Sequence, residues 1–319
     1  FNMMPFFKSF SIRIIGYLPY IIFFYVIYTI EIFRELLLYN GLLQLMLFLI
    51  VACIPAYLTK RMSYVDIAWP WGLVLIGALV LLLGDGYKPR IFLISGMYLF
   101  SGLRMGIGAL ILLKKGHLDT ELSRYTYQRR RWGKAGYKNL DISLQYEIMI
   151  QCFANITFLA LPAILMAQNT ATSISVIEII GASLWAIWFV LEHVSDMQKQ
   201  QFLKKSFLEK KKKQVCNVGF WKYTRHPNYF SEWMVWNAMI IASISSFISL
   251  YSEDQQLVWI IIGVGLFYIS YIMYTTLVYY TGAVPSEYYT LQKRPNYKAY
   301  QDQTNMFFPG PQKSNQKGI

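Results

Sequence analysis

The fold of this chain is decided by segments such as 257-LVWIIIGVGLFYISYIMYTTLVYY-280, which holds 24 consecutive residues without a charged side chain. About 20 apolar residues in a helix are enough to cross the hydrocarbon layer of a bilayer. The 319-residue chain is 55% hydrophobic and only 15% charged. Its apolar residues fall in long blocks and not in the stripes of a soluble helix or strand. The sequence therefore predicts a polytopic membrane protein.

The same pattern recurs along the whole chain and predicts an all-α bundle of about eight transmembrane helices, with a range of 7–10. We expect a single transmembrane domain over residues 1–319. The eight predicted spans are Ile14–Phe33, Gly41–Leu58, Ile67–Leu83, Ile91–Leu113, Ile148–Ala167, Ile174–Leu191, Tyr229–Leu250 and Leu257–Tyr280.

The basic residues are distributed unequally between the two sides that these spans define. Of the 30 Lys and Arg residues, 26 lie in the termini and in the connections on the same side of the membrane as the termini. The other four are Arg34, Lys88 and Arg90 on the opposite side and Arg104 inside a span. The positive-inside rule then places both termini in the cytosol or the mitochondrial matrix. The membrane itself is predicted to be the endoplasmic reticulum or the mitochondrial inner membrane.

This topology and anionic lipid headgroups account for most of the net charge of +13. The Lys210–Lys213 run is interpreted as a solvated patch that faces headgroups. A nucleic-acid partner would need a soluble basic domain, which the sequence lacks, so none is predicted. The three Cys and three His residues are too scattered for a metal site, and no metal is predicted.

Polar chemistry concentrates in Gly219–Trp233, immediately before and within the start of the seventh predicted span. Arg225 offers a fork of donors suited to phosphate, while Asn228 both donates and accepts. Pro227 biases His226 away from helix, which would turn these side chains toward a cavity. The alternative is an interfacial belt of aromatic residues with a snorkelling Arg.

Glu192, Asp196 and Lys199 follow each other at three- to four-residue spacing at the end of the sixth predicted span. This spacing places them on one helical face. They either contribute to the same polar site or are ordinary charges at a helix end.

Arg104 lies inside the fourth predicted span, where a charge costs at least about 2.5–3.5 kcal/mol. It should therefore face a cavity or a partner, and Glu31, Glu178 and Asp66 are the candidate carboxylates. Asp66 is equally interpreted as a cap for the third helix. The neighbouring Gly102, Gly106 and Gly108 predict close approach of another helix.

Two further clusters complete the set of candidate residues. Tyr125, in the Arg-rich segment Glu121–Trp132, is a candidate proton donor, although the segment also suits a basic loop. Arg294 and Tyr300 lie in a tail whose aromatic residues would stack on a base or lie along the membrane surface.

At these residues the chain resembles the membrane reductases that include steroid 5α-reductases and sterol reductases, and most closely the branch called DUF1295 proteins. The specific part is Arg225-His-Pro-Asn-Tyr229, in a similar region over residues 65–310, with residues 1–60 less similar. The supporting matches are Val65–Trp69, Gly102–Arg104, Glu121–Trp132, Glu192–Gln198, Thr281–Gly282, Pro285, Glu287, Arg294–Pro295, Tyr297, Tyr300–Gln301 and Phe308–Pro309.

The resemblance implies that NADPH binds to motifs within residues 192–310 and reduces a carbon–carbon double bond conjugated to a carbonyl. The substrate would be lipid-soluble, either steroid-like or an enoyl lipid. Tyr125 is the candidate acid that polarises the carbonyl. The residues expected to hold the cofactor are Arg225, His226, Asn228, Tyr229 and Glu232, with Asp196, Arg104, Arg294 and Tyr300 as additional contacts.

The chain departs from the family pattern at three positions. The family often has Gly at the position of Ser231 and a basic residue at the position of Leu203, and it lacks the inserted Pro70. Such departures are expected if the fold is kept for assembly while catalytic activity is lost. The chain would then be an accessory subunit of a larger membrane assembly, such as a mitochondrial respiratory complex, with or without a bound nucleotide. A third reading is a methyltransferase that uses S-adenosylmethionine, as isoprenylcysteine methyltransferases do. Those enzymes usually carry paired Glu residues in the tail, whereas Glu287 here follows Ser286.

Overall fold

The computed structural model of the chain describes residues 4–211, 213–294 and 296–313, with side chains from residue 13 onward. Every regular element in these ranges is helical, which confirms the predicted all-α class. The chain divides into two compact units. Unit 1 comprises Phe1–Ala182 and Met239–Ile269, and unit 2 comprises Ser183–Ala238 and Ser270–Ile319.

Unit 1 contains eight complete α-helices among the described residues and parts of α9, α10 and α11. A π-helical turn at Leu49–Cys53 joins α2 to α3 without a break. The helices are α1 Met4–Thr29, α2 Arg34–Phe48, α3 Ile54–Thr59, α4 Val65–Leu83, α5 Lys88–Lys114, α6 Ser123–Lys134, α7 Leu140–Ile156 and α8 Leu161–Ala167.

Unit 2 is built from the remaining parts of the three long helices and from the tail. These long helices are α9 Val176–Leu208, α10 Pro227–Ser249 and α11 Gln256–Thr275, the last prolonged by a π-helical turn at Thr276–Tyr280. Two short helices follow, α12 Ala283–Lys293 and α13 Tyr297–Gln303.

Six helical segments in the described part of the chain are long and apolar enough to cross a membrane. They are Glu31–Thr59, Val65–Leu83, Lys88–Lys114, Leu140–Ala167, Val176–Leu208 and Glu253–Lys293. Helices also lie at the first and seventh predicted spans. Arg13–Thr29 is a shorter apolar helix, and α10 is diluted by five Ser residues, Asn228, Glu232 and Asn237. The chain is an integral membrane protein by these criteria, the count of eight is approximate, and the sidedness of the termini stays a prediction.

The second, fifth and sixth predicted spans differ from the observed helices, and the second begins at Arg34 instead of Gly41. The fifth begins earlier, at Leu140, and is interrupted at Thr157, whose backbone (φ −112°, ψ −90°) leaves the helical region. The sixth continues as α9 to Leu208. Its polar residues recur at helical spacing, so they change the character of one helix face without ending the helix.

Glycine allows α4 and α5 of unit 1 to pack closely. A Cβ at Gly102 would come within 2.7 Å of the Pro70 carbonyl oxygen, and one at Gly106 within 2.9 Å of the Trp71 indole nitrogen. The close approach predicted for these two residues is confirmed. A Cβ at Gly108 would meet nothing within 4 Å, so the same prediction for Gly108 is wrong.

A cluster of amide side chains joins α2, α4 and α7 inside unit 1. Gln44 donates to the Gly72 carbonyl (2.8 Å) and to Asn40 Oδ1 (3.2 Å). Asn155 donates to the Trp69 carbonyl (3.2 Å). Amides at membrane depth need such partners because lipid offers none. The absence of a side chain at Gly72 makes the room, since a Cβ there would collide with Gln44 and Asn155.

A buried ion pair fixes the connection before α9 within unit 1. Arg90 pairs with Glu178, and their side chains are 1% and 0% exposed. The remaining Arg90 donors reach the carbonyls of Asn169 (2.9 Å), Ala171 (2.8 Å) and Ser173 (2.5 Å). Glu178, one of the candidate partners of Arg104, is therefore committed to Arg90.

Candidate functional site

The polar face predicted on α9 is present in unit 2, and it carries Glu192, Asp196 and Lys199 on one continuous helix. Glu192 is buried. Gln198, on the same helix, accepts a hydrogen bond from the backbone N–H of Phe220 (2.9 Å). Gly219 makes this approach possible because its φ is +53° and a Cβ there would collide with Gln198. The loop that leads into α10 is thus held against the polar face of α9.

Arg225 forms a buried latch between this loop and the C-terminal tail. Its Nε and Nη2 donate to the two carboxylate oxygens of Glu287, at 2.7 and 3.0 Å, and both side chains are less than 10% exposed. Its Nη1 donates to the carbonyls of Gln301 (3.0 Å) and Thr304. The bidentate fork expected to meet a phosphate is therefore directed at a carboxylate of the chain itself.

His226 shares the same carboxylate. Its Nε2 lies 2.9 Å from Glu287 Oε1, and its ring stacks on Tyr229 with centroids 5.2 Å apart and planes within 1°. Burial lowers the pKa of His226, while the hydrogen bond to Glu287 opposes that shift. The imidazole is therefore neutral at pH 7, with Nε2–H donating to Glu287.

Asn228 connects the first turn of α10 to the polar face of α9. Its Nδ2 donates to Asp196 Oδ1 at 3.0 Å. Its Oδ1 is buried and has no hydrogen-bond partner among the described residues. A buried acceptor left unpaired costs about 1–3 kcal/mol, so this atom is suited to a ligand that donates a hydrogen bond.

An aromatic and cationic cluster lies beside these residues in unit 2. The Trp221 indole donates to the Ser195 carbonyl (2.9 Å), and Tyr300 donates its hydroxyl proton to the Trp221 carbonyl. Lys199 Nζ lies 4.4 Å from the centre of the Trp221 ring. Burial raises the pKa of the Cys216 thiol, and the positive charges of Lys199 and Arg294 oppose that rise.

Glu232, also predicted to hold the cofactor, lies one turn further into α10 than Asn228. It is buried and accepts a hydrogen bond from the Trp236 indole at 2.9 Å. Unit 2 thus brings together Arg225, His226 and Tyr229, and separately joins Asn228 to Asp196. Tyr300 contacts Trp221, whose ring faces Lys199.

Tyr125 and Arg104 both belong to unit 1. The Tyr125 hydroxyl donates to Asp66, whose other carboxylate oxygen pairs with Arg124. The N-cap of α4 is Tyr64, and Asp66 lies in its first turn, so the predicted capping role of Asp66 is wrong. Burial raises the pKa of Tyr125 well above its ordinary value, and the Asp66 charge adds to the shift. Asp66 is thus committed to α6 and is not the partner proposed for Arg104.

Two contacts are not predicted from the sequence: the pairing of Arg225 with Glu287 and the position of Lys199 over the Trp221 ring. The tail motif contains Glu287, but nothing in the sequence links it to Arg225 across 62 residues. One signal was present: Glu287 is one of two acidic residues in a tail, residues 281–319, that holds five Lys and Arg residues.

A family model described as "Protein of unknown function (DUF1295)" matches residues 49–304. The matched region includes every candidate residue discussed above in both units. Comparisons with curated proteins and with solved structures found no match.

Proposed function

We propose a function from the premise that this chain belongs to the DUF1295 family, whose description assigns none. The proposed reaction is the NADPH-dependent reduction of a carbon–carbon double bond conjugated to a carbonyl. The substrate is a lipid-soluble molecule, either steroid-like or an enoyl lipid, because the chain is embedded in the bilayer that dissolves such molecules.

The observation that carries the proposal is the unpaired Oδ1 of Asn228. Its amide nitrogen is held by Asp196, so the oxygen is fixed in place and free to accept. A nucleotide offers matching donors in its ribose hydroxyls and amide or amine groups. This unpaired acceptor supports a bound nucleotide, with Asn228 and Asp196 as its proposed direct contacts.

Arg225 and His226 act in this proposal as positioning residues. Arg225 donates to both carboxylate oxygens of Glu287 through Nε and Nη2, and to the carbonyls of Gln301 and Thr304 through Nη1. The latch fixes the chain that immediately precedes Asn228. Tyr229, Glu232 and Tyr300 are proposed to shape the same site, and Arg104 stays a prediction as a contact from unit 1.

When bound, NADPH supplies the hydride for the reduction. Tyr125 remains the proposed proton donor. Its raised pKa keeps the phenol protonated at neutral pH, as a donor must be. Asp66 orients the hydroxyl, and a substrate carbonyl would have to compete with Asp66 for that proton.

The test is a thermal unfolding series of the detergent-solubilised protein with NADPH and, separately, with S-adenosylmethionine. A ligand at 100 times its Kd stabilises the folded state by about 2.7 kcal/mol. We expect NADPH to raise Tm and Asn228→Ala to remove that rise. Asn296→Ala, at an exposed position of the same unit, should keep it. A rise with S-adenosylmethionine alone would replace the reductase by a methyltransferase.

A second function, an accessory subunit of a membrane assembly such as a mitochondrial respiratory complex, is favoured by the Arg225–Glu287 latch. The guanidinium that resemblance assigned to cofactor is satisfied within the chain, as a structural role requires. Native mass spectrometry of the complex extracted in mild detergent distinguishes the two functions. Stoichiometric association with other membrane subunits and no bound nucleotide would support the accessory role.

A further inference from the structure

The long helix α9 ends in a group of exposed apolar side chains. Leu203, Phe207 and Leu208 are 41%, 82% and 70% exposed. Leu203 and Phe207 are four residues apart and so lie on one face of the helix, with Leu208 next to Phe207 in the chain. Exposed apolar residues that are scattered singly are normal on a protein, whereas a contiguous group with a polar border indicates an interaction surface. Residues 203–211 and 213, all in unit 2, are called the α9 tip below.

The α9 tip lies outside the lipid bilayer. Exposed polar side chains at His193, Gln200 and Gln201 cannot face lipid tails, so α9 leaves the hydrocarbon near Glu192. Phe207 follows on the same unbroken helix, about 22 Å further at 1.5 Å per residue. A tilt of 40°, the steepest usual for membrane helices, still leaves about 17 Å. Because the headgroup layer is only about 5–8 Å thick on each side, the α9 tip extends beyond it.

The segment around these apolar side chains is strongly basic. Residues 204–213 hold six Lys residues and one acidic residue, Glu209. Glu209 is already paired, since Lys211 Nζ lies 2.9 Å from its Oε2 and Lys205 Nζ lies 3.9 Å from its Oε1. Most of the positive charge is therefore unbalanced within the segment. An apolar group bordered by Lys residues is complementary to an apolar recess bordered by carboxylates.

The backbone of the α9 tip places Lys where Gly is favoured. Lys210 and Lys213 have φ angles of +54° and +61°. The Lys211 N–H donates to the Ser206 carbonyl (2.9 Å) and the Lys210 N–H to the Phe207 carbonyl (3.1 Å). This is a Schellman arrangement with Lys210 at the position that Gly usually occupies. Because the left-handed conformation is unfavourable for Lys relative to Gly, the charge at this position indicates a role other than stabilising the fold.

We propose that the α9 tip docks onto a second protein, whose surface presents an apolar recess bordered by Asp and Glu residues. Phe207 is the central contact, and Lys204 and Lys210 contribute charge at the border. The distance of the tip from the bilayer favours a protein over the anionic headgroups that the sequence alone indicates for the Lys210–Lys213 run. Docking is compatible with either proposed function, because the tip contains none of the candidate site residues.

The first experiment places a photoreactive benzophenone amino acid at position 207 of the full chain in its native membranes. Position 267 is the matched control, because Phe267 is also 82% exposed but lies inside the apolar segment Glu253–Lys293. Adducts formed on illumination are identified by mass spectrometry. We expect peptides of a second protein at position 207 and lipid at position 267. Lipid alone at position 207, another copy of this chain, or no adduct would each overturn the proposal.

The second experiment tests the charge of the partner surface. Lys204→Glu combined with Lys210→Glu should lower the yield of the protein adduct at position 207 at least about tenfold, because like charges would then face each other. Lys313→Glu, at an exposed position of the C-terminal tail, should leave the yield unchanged. An undiminished yield in the double variant would show that the partner surface is not acidic and would overturn the proposal.

Lys210→Gly separates docking from folding. Glycine relieves the left-handed backbone, so the Tm of the purified variant should rise. Loss of the charge should nevertheless lower the adduct yield at position 207 by about twofold to fivefold, as for a partly exposed ion pair. A higher Tm with an unchanged yield would leave Lys210 without a role in docking and would contradict the proposal.

Discussion

Removing Glu287 from its latch should destabilise the protein before any ligand is added. In Glu287→Gln the carboxylate that receives two hydrogen bonds from Arg225 and one from His226 is replaced by a neutral amide. Arg225 then keeps its charge in a buried site, with the Gln301 and Thr304 carbonyls and one neutral amide oxygen as acceptors and no carboxylate. Breaking a buried pair in this way costs about 3–5 kcal/mol.

That cost translates into a large shift in thermal unfolding. At about 2–4 °C per kcal/mol, the expected fall in Tm is roughly 6–20 °C, measured on ligand-free protein in detergent. Lys298→Ala is the matched control in the same tail, because the Lys298–Asp302 pair is 68% and 58% exposed. Exposed pairs of this kind contribute about 0–1 kcal/mol.

A double-mutant cycle shows whether the effect comes from the pair. Arg225→Met, Glu287→Gln and the double variant are compared, and the double variant should lose less stability than the two single variants combined. If Arg225 served mainly to hold a phosphate, Glu287→Gln would lower the Tm of the ligand-free protein no more than the Lys298→Ala control does. That result would refute the assignment of a latch.

The remaining predictions concern pH and packing. Because burial lowers the pKa of His226 in the folded state below its ordinary value of about 6.5, the unfolded state binds more protons below about pH 6.5, and stability should fall as the pH falls through that window. His226→Gln should flatten this part of a plot of Tm against pH, and an unchanged slope would contradict it. Gly72→Ala should cost about 1–3 kcal/mol by overpacking the amide cluster, seen as a lower Tm, whereas Gly108→Ala should be neutral or stabilising. Glu178→Gln, which strands the buried Arg90 charge, should cost about 3–5 kcal/mol, and a Tm equal to wild type would contradict it.

The membrane class and the helix positions were accessible from the sequence because they depend on local properties. An apolar run such as Leu257–Tyr280 has to be helical in lipid, whatever it packs against. The same locality explains the errors. The polar residues after Leu191 are typical of a helix end, but their spacing permits α9 to continue. Thr157 interrupts its helix although neither it nor its immediate neighbours are Gly or Pro, so the sequence gives no signal of the break.

The candidate site was only partly accessible. The family resemblance implies that Asn228 and Asp196 share a site, and their 3.0 Å hydrogen bond places the two side chains together. The choice of partner for Arg225 was not predictable, because Glu287, Asp196 and Glu192 are equivalent as carboxylates until the tail is folded back. The pairing of Tyr125 with Asp66 spans 59 residues and likewise depends on tertiary packing, which no local pattern records.

The most direct test of the account is an experimental density map of the purified protein in excess NADPH. We predict density for a dinucleotide in contact with Asn228 Oδ1, with the Arg225–Glu287 pair intact. A map with no such density, and with the Asn228 side chain turned to lipid, would contradict the account.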